Sequence, residues 1–399
     1  MPASPSTARA INDRLALRLL QDEGPLTAGQ LKQLTGLSRP TVADLVERLT
    51  AAGLIDVVGE AGEQRRGPNA RLYGIVADLA HLAAVDVRTE SVSVTVSDLV
   101  GRVLAEAAMP VDGNWGTGPA VEQAAALVER TAKEAGAEGR LHTVGIGAPG
   151  LIDPATGELR GSSGLPEWHR QLVAVLQDRL PQARVTVENE TNLAALAEQR
   201  DGAAHDRDTF VLLWLGHGTG AAVVLDGVLR RGASGGTGEI GFLPVPGTSG
   251  LPAATDCEGG FHSLAGAAAI ERLAREHGLA TTELVPGEPQ AATLVRAAAQ
   301  HPEDASASAF LDTLADRIAV GVASVVAVLD PGCVVLGGEV GQAGATELAT
   351  RVATRISALS PLPTEVRPSP LGGTAVLRGA LLTARTHAQN EVFAPKAGT

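Results

Sequence analysis

The stretch Val185-Thr-Val-Glu-Asn-Glu-Thr-Asn-Leu-Ala-Ala-Leu-Ala-Glu198 decides how the rest of the chain is read. It opens as a β-branched run, ends that run in a carboxylate, an amide and a second carboxylate, and goes on with Ala and Leu at helical spacing. This is the pattern of a strand turning into a helix. In open α/β sheets ligands bind outside the carboxyl ends of the strands, so Asn189 and Glu190 stand where a binding site is expected. The structural alternative is that Thr191 or Asn192 does no more than cap the helix that follows.

Length and composition frame that corner. At 399 residues the chain exceeds one compact core, and roughly two to three domains are expected. Its 47 Gly and 23 Pro are spread over many turns, as in a globular protein and not a disordered one. Aromatic residues are scarce, so Ala, Val and Leu must fill the core, which suits helices packed closely on sheets. Cys257 and Cys333 are too few and too far apart for a disulfide framework or a four-thiolate metal site, and fit a reducing compartment. The start MPASPSTARAINDR lacks a cationic region followed by an apolar core, and no later run has membrane-spanning length without charges. The expected location is the cytoplasm, with no membrane partner.

The net charge of −13 is unevenly spread: residues 1–75 hold nine Lys/Arg against eight Asp/Glu, so the acidity lies downstream. A near-neutral head on an acidic body can bind DNA if its basic groups share a face. In that head, Ile11, Leu15, Leu19 and Leu20 recur on one helical face. Gly24-Pro25 ends this helix, and Thr27 with Gln30 three positions on makes a capping box for a second. After Gly36-Leu37, Ser38 caps a third helix in which Val42, Leu45, Val46 and Leu49 share a face before Gly53 stops it. Two strands follow, Leu54–Val58 and Ala70–Val76, joined by a turn containing Arg65-Arg66-Gly67-Pro68. The result is a winged helix-turn-helix over residues 1–75. Ser38, Arg39, Pro40, Thr41 and Asp44 occupy the start of the recognition helix, where side chains reach base edges. Arg65 and Arg66 at the wing tip suit phosphate or a narrow minor groove. A helical interaction domain with a solvated hairpin is the plainer reading of the same residues.

Downstream, 81–101 reads as two strands around a turn, and helices, strands and Gly-rich turns alternate to the end. Three turns follow apolar runs: Gly147-Ala-Pro-Gly150, Gly216-His-Gly-Thr-Gly-Ala-Ala222 and Leu336-Gly-Gly-Glu-Val340. Such loops bring backbone N–H groups close to a ligand.

Together these features resemble the ROK family of repressors and sugar kinases, over essentially the whole chain, with the winged head pointing to the repressor branch. The resemblance implies a two-lobed α/β body of the actin-like ATPase fold over residues 76–399. Lobe 1 would span about 76–196 plus the C-terminal helix, and lobe 2 about 197–378. The kinases of the family carry Asp-x-Gly-x-Thr at the first hairpin, whereas here Asp86-Val-Arg-Thr89 puts Arg88 at the glycine position. That side chain would crowd a phosphate. The second phosphate loop keeps Gly216, Gly218 and Gly220 but departs at His217 and Ala222. Where the family has Glu-Asn-Asp, whose Asp is the general base, this chain has Glu190. One more methylene displaces the carboxylate by ~1 Å or more, enough to spoil an aligned proton transfer and still allow a hydrogen bond.

The family's Gly-Glu-x-Gly-His is matched by Gly238-Glu-Ile-Gly-Phe242, which keeps Glu239 and replaces a histidine that contacts sugar and zinc. Its zinc loop is matched by Asp256-Cys-Glu-Gly-Gly-Phe-His-Ser263, with one thiolate, and with Ser263 in place of a sugar-binding Glu. Cys257 and His262 supply two of the four ligands that tetrahedral zinc needs, so structural zinc is expected to be absent and no cofactor is expected. Phe261 and Phe242 would pack in its place. Asn189, Glu190, Glu239, Phe242 and Ser263 are the effector-binding candidates, Asn189 and Glu239 foremost. For Glu239 the plainer role is capping a helix or pairing with an arginine.

The resulting expectation is a DNA-binding transcriptional regulator, a repressor, without enzymatic activity. Its operator binding would be controlled by a sugar or sugar derivative in a degenerate kinase-like cleft, and it would act as a homodimer or a tetramer. The rivals are an active sugar kinase with a DNA-binding appendage and a ligand-blind regulator whose body only dimerises.

Overall fold

The computed structural model describes residues 5–61, 70–88, 91–111, 116–160, 167–253, 258–280 and 288–394. The head comprises α1 (Pro5–Asp22), β1 (Leu26–Thr27), α2 (Ala28–Thr35), α3 (Arg39–Ala51), β2 (Ile55–Ala61) and β3 (Ala70–Ile75). Local chemistry sets its boundaries. Thr27 Oγ1 accepts from the Gln30 N–H at 3.2 Å while Gln30 Oε1 accepts from the Thr27 N–H at 2.9 Å, the reciprocal capping box that starts α2. Gly36, at φ +70°, closes that helix in the left-handed region, and Ser38 Oγ then caps α3 by accepting from the Thr41 N–H. Val42, Leu45, Val46 and Leu49 of α3 are buried with Leu17, Leu20 and Leu31. The sheet has the order β1-β3-β2. Strand β1 was not foreseen, because two residues carry no periodicity. Arg65 and Arg66 lie outside the described residues.

The body contains two five-stranded sheets built to one plan. The first takes β4 (His81–Val87), β5 (Ser91–Asp98), β6 (Val103–Pro110), β7 (Leu141–Ala148) and β8 (Arg184–Asn189), with α4 (Thr117–Glu134), α5 (Trp168–Arg179) and α6 (Glu190–Asp201). The second takes β9 (Phe210–Leu215), β10 (Thr219–Leu225), β11 (Val228–Arg230), β12 (Cys333–Gly337) and β13 (Glu365–Pro368). Its helices are α7 (His262–Ala265), α8 (Ala267–Glu276), α9 (Gln290–Gln300), α10 (Ala305–Leu329), α11 (Gly338–Leu359) and α12 (Ala375–Val392). The orders are β6-β5-β4-β7-β8 and β11-β10-β9-β12-β13. In each, an antiparallel meander of three strands is extended by two strands parallel to the first. The helix after the fifth strand of each sheet packs on the other sheet, α6 on β9 and β10, α12 on β4 and β7, and the two helices pack on each other.

Register carries the polar corner into place. Asp86 stands opposite Gly147, and Gly147 and Ala148 stand opposite Glu188 and Asn189, so three strands deliver their last residues to one edge. Head and body share a core: Leu17 and Leu20 of α1 are buried with Leu82, Leu99, Ala384 and Ala388 of the body. Full burial of a leucine contributes about 1.5–3 kcal/mol, so this seam holds head and body in contact. Among the described residues no helix is long and apolar enough to cross a membrane.

Candidate functional site

A cleft of about 750 Å³ opens where the two sheets face each other, lined on one side by Pro149–Leu151 and Asn189–Asn192 and on the other by Gly218–Ala221, Ser234–Glu239, Phe242 and His262. The strand-to-helix corner forms its floor. Asn189, and neither Thr191 nor Asn192, is the cap of α6: its Oδ1 accepts from the Thr191 and Asn192 N–H groups at 2.9 and 3.2 Å. Its Nδ2 donates to Gly150 O and to Glu190 Oε2, both at 3.0 Å. Every donor and acceptor of that amide is engaged, so Asn189 orients Glu190 rather than offering free groups. Glu188 holds the corner from behind, accepting from Asn192 Nδ2 at 3.0 Å and from Arg231 Nε at 2.6 Å.

Glu190 and Glu239 are the carboxyls that face the cleft. Burial pushes Glu190 up to about 8, with the Glu239 and Asp86 carboxylates adding to the shift. Desolvation raises Glu239 as well. Glu239 stands before a short 3₁₀ turn, Ile240–Phe242, which its side chain does not cap, and its carboxylate has no ion-pair or hydrogen-bond partner among the described residues. Neither plain role suggested by the sequence applies. Its loop is held close to β10, where the Ala221 N–H donates to Gly238 O at 2.8 Å. Gly238, at φ +90°, is required there, because a Cβ would collide with the Ala221 carbonyl.

Phe242 stands at the cleft with the other effector candidates but does not pack with Phe261, and Ser263 lies away from the cleft. Phe242 is 38% exposed and lines the cleft, whereas Phe261 is wholly buried against Gly321 of α10. Ser263 is not among the cleft-lining residues; its Oγ accepts from the Gly259 N–H at 2.9 Å and fixes a turn. Cys257 and Asp256 lie outside the described residues. The described donors do not fit tetrahedral zinc: Phe242 has none, Ser263 Oγ is engaged, and no group of three His, Cys, Asp or Glu gathers among the described residues. Among the cleft residues that sequence reasoning did not propose as effector contacts are His262, read there only as a metal donor, and Thr219. The ring of His262 lies beside Gly218, and Thr219 Oγ1 is buried without a partner. Both stand inside quoted motifs, but only the fold turns them inward. Trp168 and His169 are core residues, 5% and 1% exposed.

At the first hairpin, Arg88 does more than crowd. Its Nε donates to Asp86 Oδ2 at 2.9 Å, its Nη2 to Gly373 O at 2.8 Å, and its Nη1 to Glu339 Oε1. Burial drives Asp86 upward and the guanidinium opposes it. Glu339 lies in the first turn of α11, so the positive end of that helix faces its own carboxylate. A Cβ on Gly216 would come within 2.8 Å of the same carboxylate. The corner between the Asp86 hairpin, the Gly216 turn and α11 is therefore closed by an internal ion pair joining the two sheets' halves. Ala222 is a different case. It is a core residue in the middle of β10, opposite Leu212, and has no bearing on phosphate approach.

On the head, Ser38, Arg39, Pro40, Thr41 and Asp44 share the start of α3 as expected. Ser38 Oγ and Thr41 Oγ1 are 2.7 Å apart. Arg39 is exposed and has no ion-pair partner among the described residues. Asp44 is instead paired with Arg48, which also reaches Asp13 at 2.6 Å.

Comparison with known proteins agrees with this geometry. Residues 11–67 match the sequence model of the MarR family, and residues 82–387 match that of the ROK family. A xylose repressor of Caldicellulosiruptor bescii is 25% identical over 240 residues, 59% of this chain and 59% of the repressor. A glucokinase of Thermotoga maritima is 33% identical over 215 residues, 50% of this chain and 65% of the kinase. The alignments thus span about three fifths of these relatives' own lengths. A solved ROK family transcriptional regulator, a homolog of the E. coli MLC protein, shares the fold with a TM-score of 0.75 and 21% identity, covering 97% of this chain and 98% of that one. An N-terminal MarR-like winged helix-turn-helix precedes an actin-like body, and the chain belongs to the ROK family.

Proposed function

We propose that this chain is a DNA-binding transcriptional regulator, a repressor, whose operator binding is controlled by a sugar or sugar derivative held in the cleft, and that it is not an enzyme. The single observation that carries the reading is the Arg88 ion pair. A guanidinium bonded to Asp86, Glu339 and Gly373 O stands where a kinase needs open backbone and room for phosphate. The cleft beyond it stays open, with the Glu190 and Glu239 carboxyls available to accept from neighbouring hydroxyls.

In this mechanism the ligand bridges Glu190 from the α6 corner and Glu239 from the second sheet, and drawing them together moves the lobes. The head rides on that movement through the shared core of α1 and α12. Paired heads in a homodimer would then lose or gain the half-site spacing that a duplex demands. Arg39 reads base edges at the start of α3, Ser38 and Thr41 set its approach, and Arg65 and Arg66 contribute phosphate or minor-groove contact from the wing. The xylose repressor's likeness supports a sugar as effector class.

The glucokinase's higher identity favours testing the rival, an active kinase with a DNA-binding appendage. A coupled ADP-release assay over a sugar panel separates the two. The expected outcome is no sugar-dependent turnover, while turnover of about 1–100 per second, ordinary for phosphotransferases, would overturn the reading.

A further inference from the structure

A second cavity, of about 490 Å³, lies between head and body, bounded by α1, α6 and α12. Arg14 and Arg18 enter it from the head, Arg200 from α6, Arg385 and His387 from α12, and Arg231 from the segment after β11. Asp22 is the one acid lining it among the described residues, and Arg200 already holds that carboxylate at 2.5 Å. Arg231 is committed to Glu188. Arg14, Arg18 and Arg385 have no carboxylate partner among the described residues. Such crowding of like charge, on a chain of net charge −13, is unfavourable unless an anion joins it.

The fold seats one of these groups deliberately. Arg385 Nη1 donates to Val100 O at 3.3 Å, and a Cβ on Gly101, at φ +94°, would come within 2.7 Å of the same nitrogen. Gly101 thus leaves the space in which the guanidinium is held at the cavity wall. His387, which lines the same cavity, has its Nδ1 buried without a partner.

We propose that this cavity binds a phosphate-bearing small molecule, gripped by Arg14 and Arg18 of the head and Arg385 of the body, which fixes the head against the body. Guanidinium forks match phosphate oxygens in pairs, and more than one unpaired fork calls for more than one negative charge. The volume suits a ligand of metabolite size and is too small for a duplex. The site is separate from the cleft yet linked to it, because Arg231 reaches Glu188, which holds Asn192 at the α6 corner. An anion here would therefore set the hinge through which the cleft acts on the head.

The test is calorimetric titration of the full chain with inorganic phosphate, pyrophosphate and glucose 6-phosphate at matched ionic strength. Saturable binding of at least one is expected, weakened about tenfold or more in Arg14→Ala with Arg18→Ala and again in Arg385→Ala. The head pair is exposed, so that variant folds even if Arg385→Ala does not. A charge-matched variant elsewhere, Arg130→Ala with Arg275→Ala, two exposed arginines of α4 and α8, should bind as the parent does. No saturable binding, or equal weakening by the charge-matched variant, overturns the proposal. So does loss in Glu239→Gln with retention in the arginine variants, since the anion then occupies the cleft. If no phosphate compound binds and Arg14→Ala with Arg18→Ala instead lowers the salt dependence of DNA binding, these arginines face the duplex backbone and the proposal fails.

Discussion

Arg39 and Arg88 are arginines in opposite conditions. Arg39, at the start of α3, is exposed and unpaired among the described residues; Arg88, at the β4–β5 hairpin, is bonded on three sides by Asp86, Glu339 and Gly373. An unpaired guanidinium in water costs nothing to keep and is ready for a ligand. A buried one is tolerated only where carboxylates answer it, and it then stands in the place of a ligand. The head is thus built to receive an anionic partner, while the corner of the body beside Asp86 is filled from within.

The largest effect should come from breaking the filled corner. Arg88→Ala leaves the Asp86 and Glu339 carboxylates, 4% and 7% exposed, without their cation. Removing one partner of such a pair costs about 3–5 kcal/mol, to be read from denaturant unfolding. A loss under about 1 kcal/mol would show that the pair contributes no net stability and that the corner is not locked.

A smaller effect is expected at the open arginine. Arg39→Ala should blur operator discrimination by about 1–3 kcal/mol while leaving stability almost untouched, whereas Arg65→Ala with Arg66→Ala should weaken binding to all sequences and flatten its salt dependence. Titrations against operator variants at several salt concentrations check both. Unchanged sequence preference in Arg39→Ala would remove α3 from the major groove.

The last effect concerns the cleft and is read as a pH dependence. Glu190 holds its proton up to about 8 in the folded chain but releases it in the ordinary carboxylate range once unfolded. Between those values the folded chain carries the extra proton, so stability falls as pH climbs through the window. Glu190→Gln removes that slope, and its gain in Tm should be larger at pH 8 than at pH 5. An equal gain at both pH values would mean that the carboxyl titrates normally.

What could be read from sequence follows the range of the interaction. The Thr27 capping box, the Ser38 cap and the buried stripe Val42, Leu45, Val46 and Leu49 involve neighbours within one or two turns, and each was legible. The strand-to-helix corner at Asn189 was legible for the same reason, though the capping alternative named Thr191 and Asn192 where Asn189 is the cap. Arg88 announced a blocked phosphate corner, but its partner Glu339 lies 251 positions away, and no local pattern points to it. Ser263 was misjudged because a motif match says nothing of which way a turn aims its side chain. The exchange of α6 and α12 between sheets, and the seating of the head on α12, come from tertiary packing alone.

The central claim is that one molecule couples an open cleft to an open DNA-reading helix. It is tested most directly by fluorescence anisotropy on operator fragments selected by the protein from genomic DNA, titrated with and without a sugar that raises its Tm. The account predicts that the same sugar shifts the DNA Kd by about tenfold or more, a coupling of about 1.4 kcal/mol, and that Glu239→Gln abolishes the shift. A sugar that binds the cleft and leaves DNA affinity unchanged would contradict it.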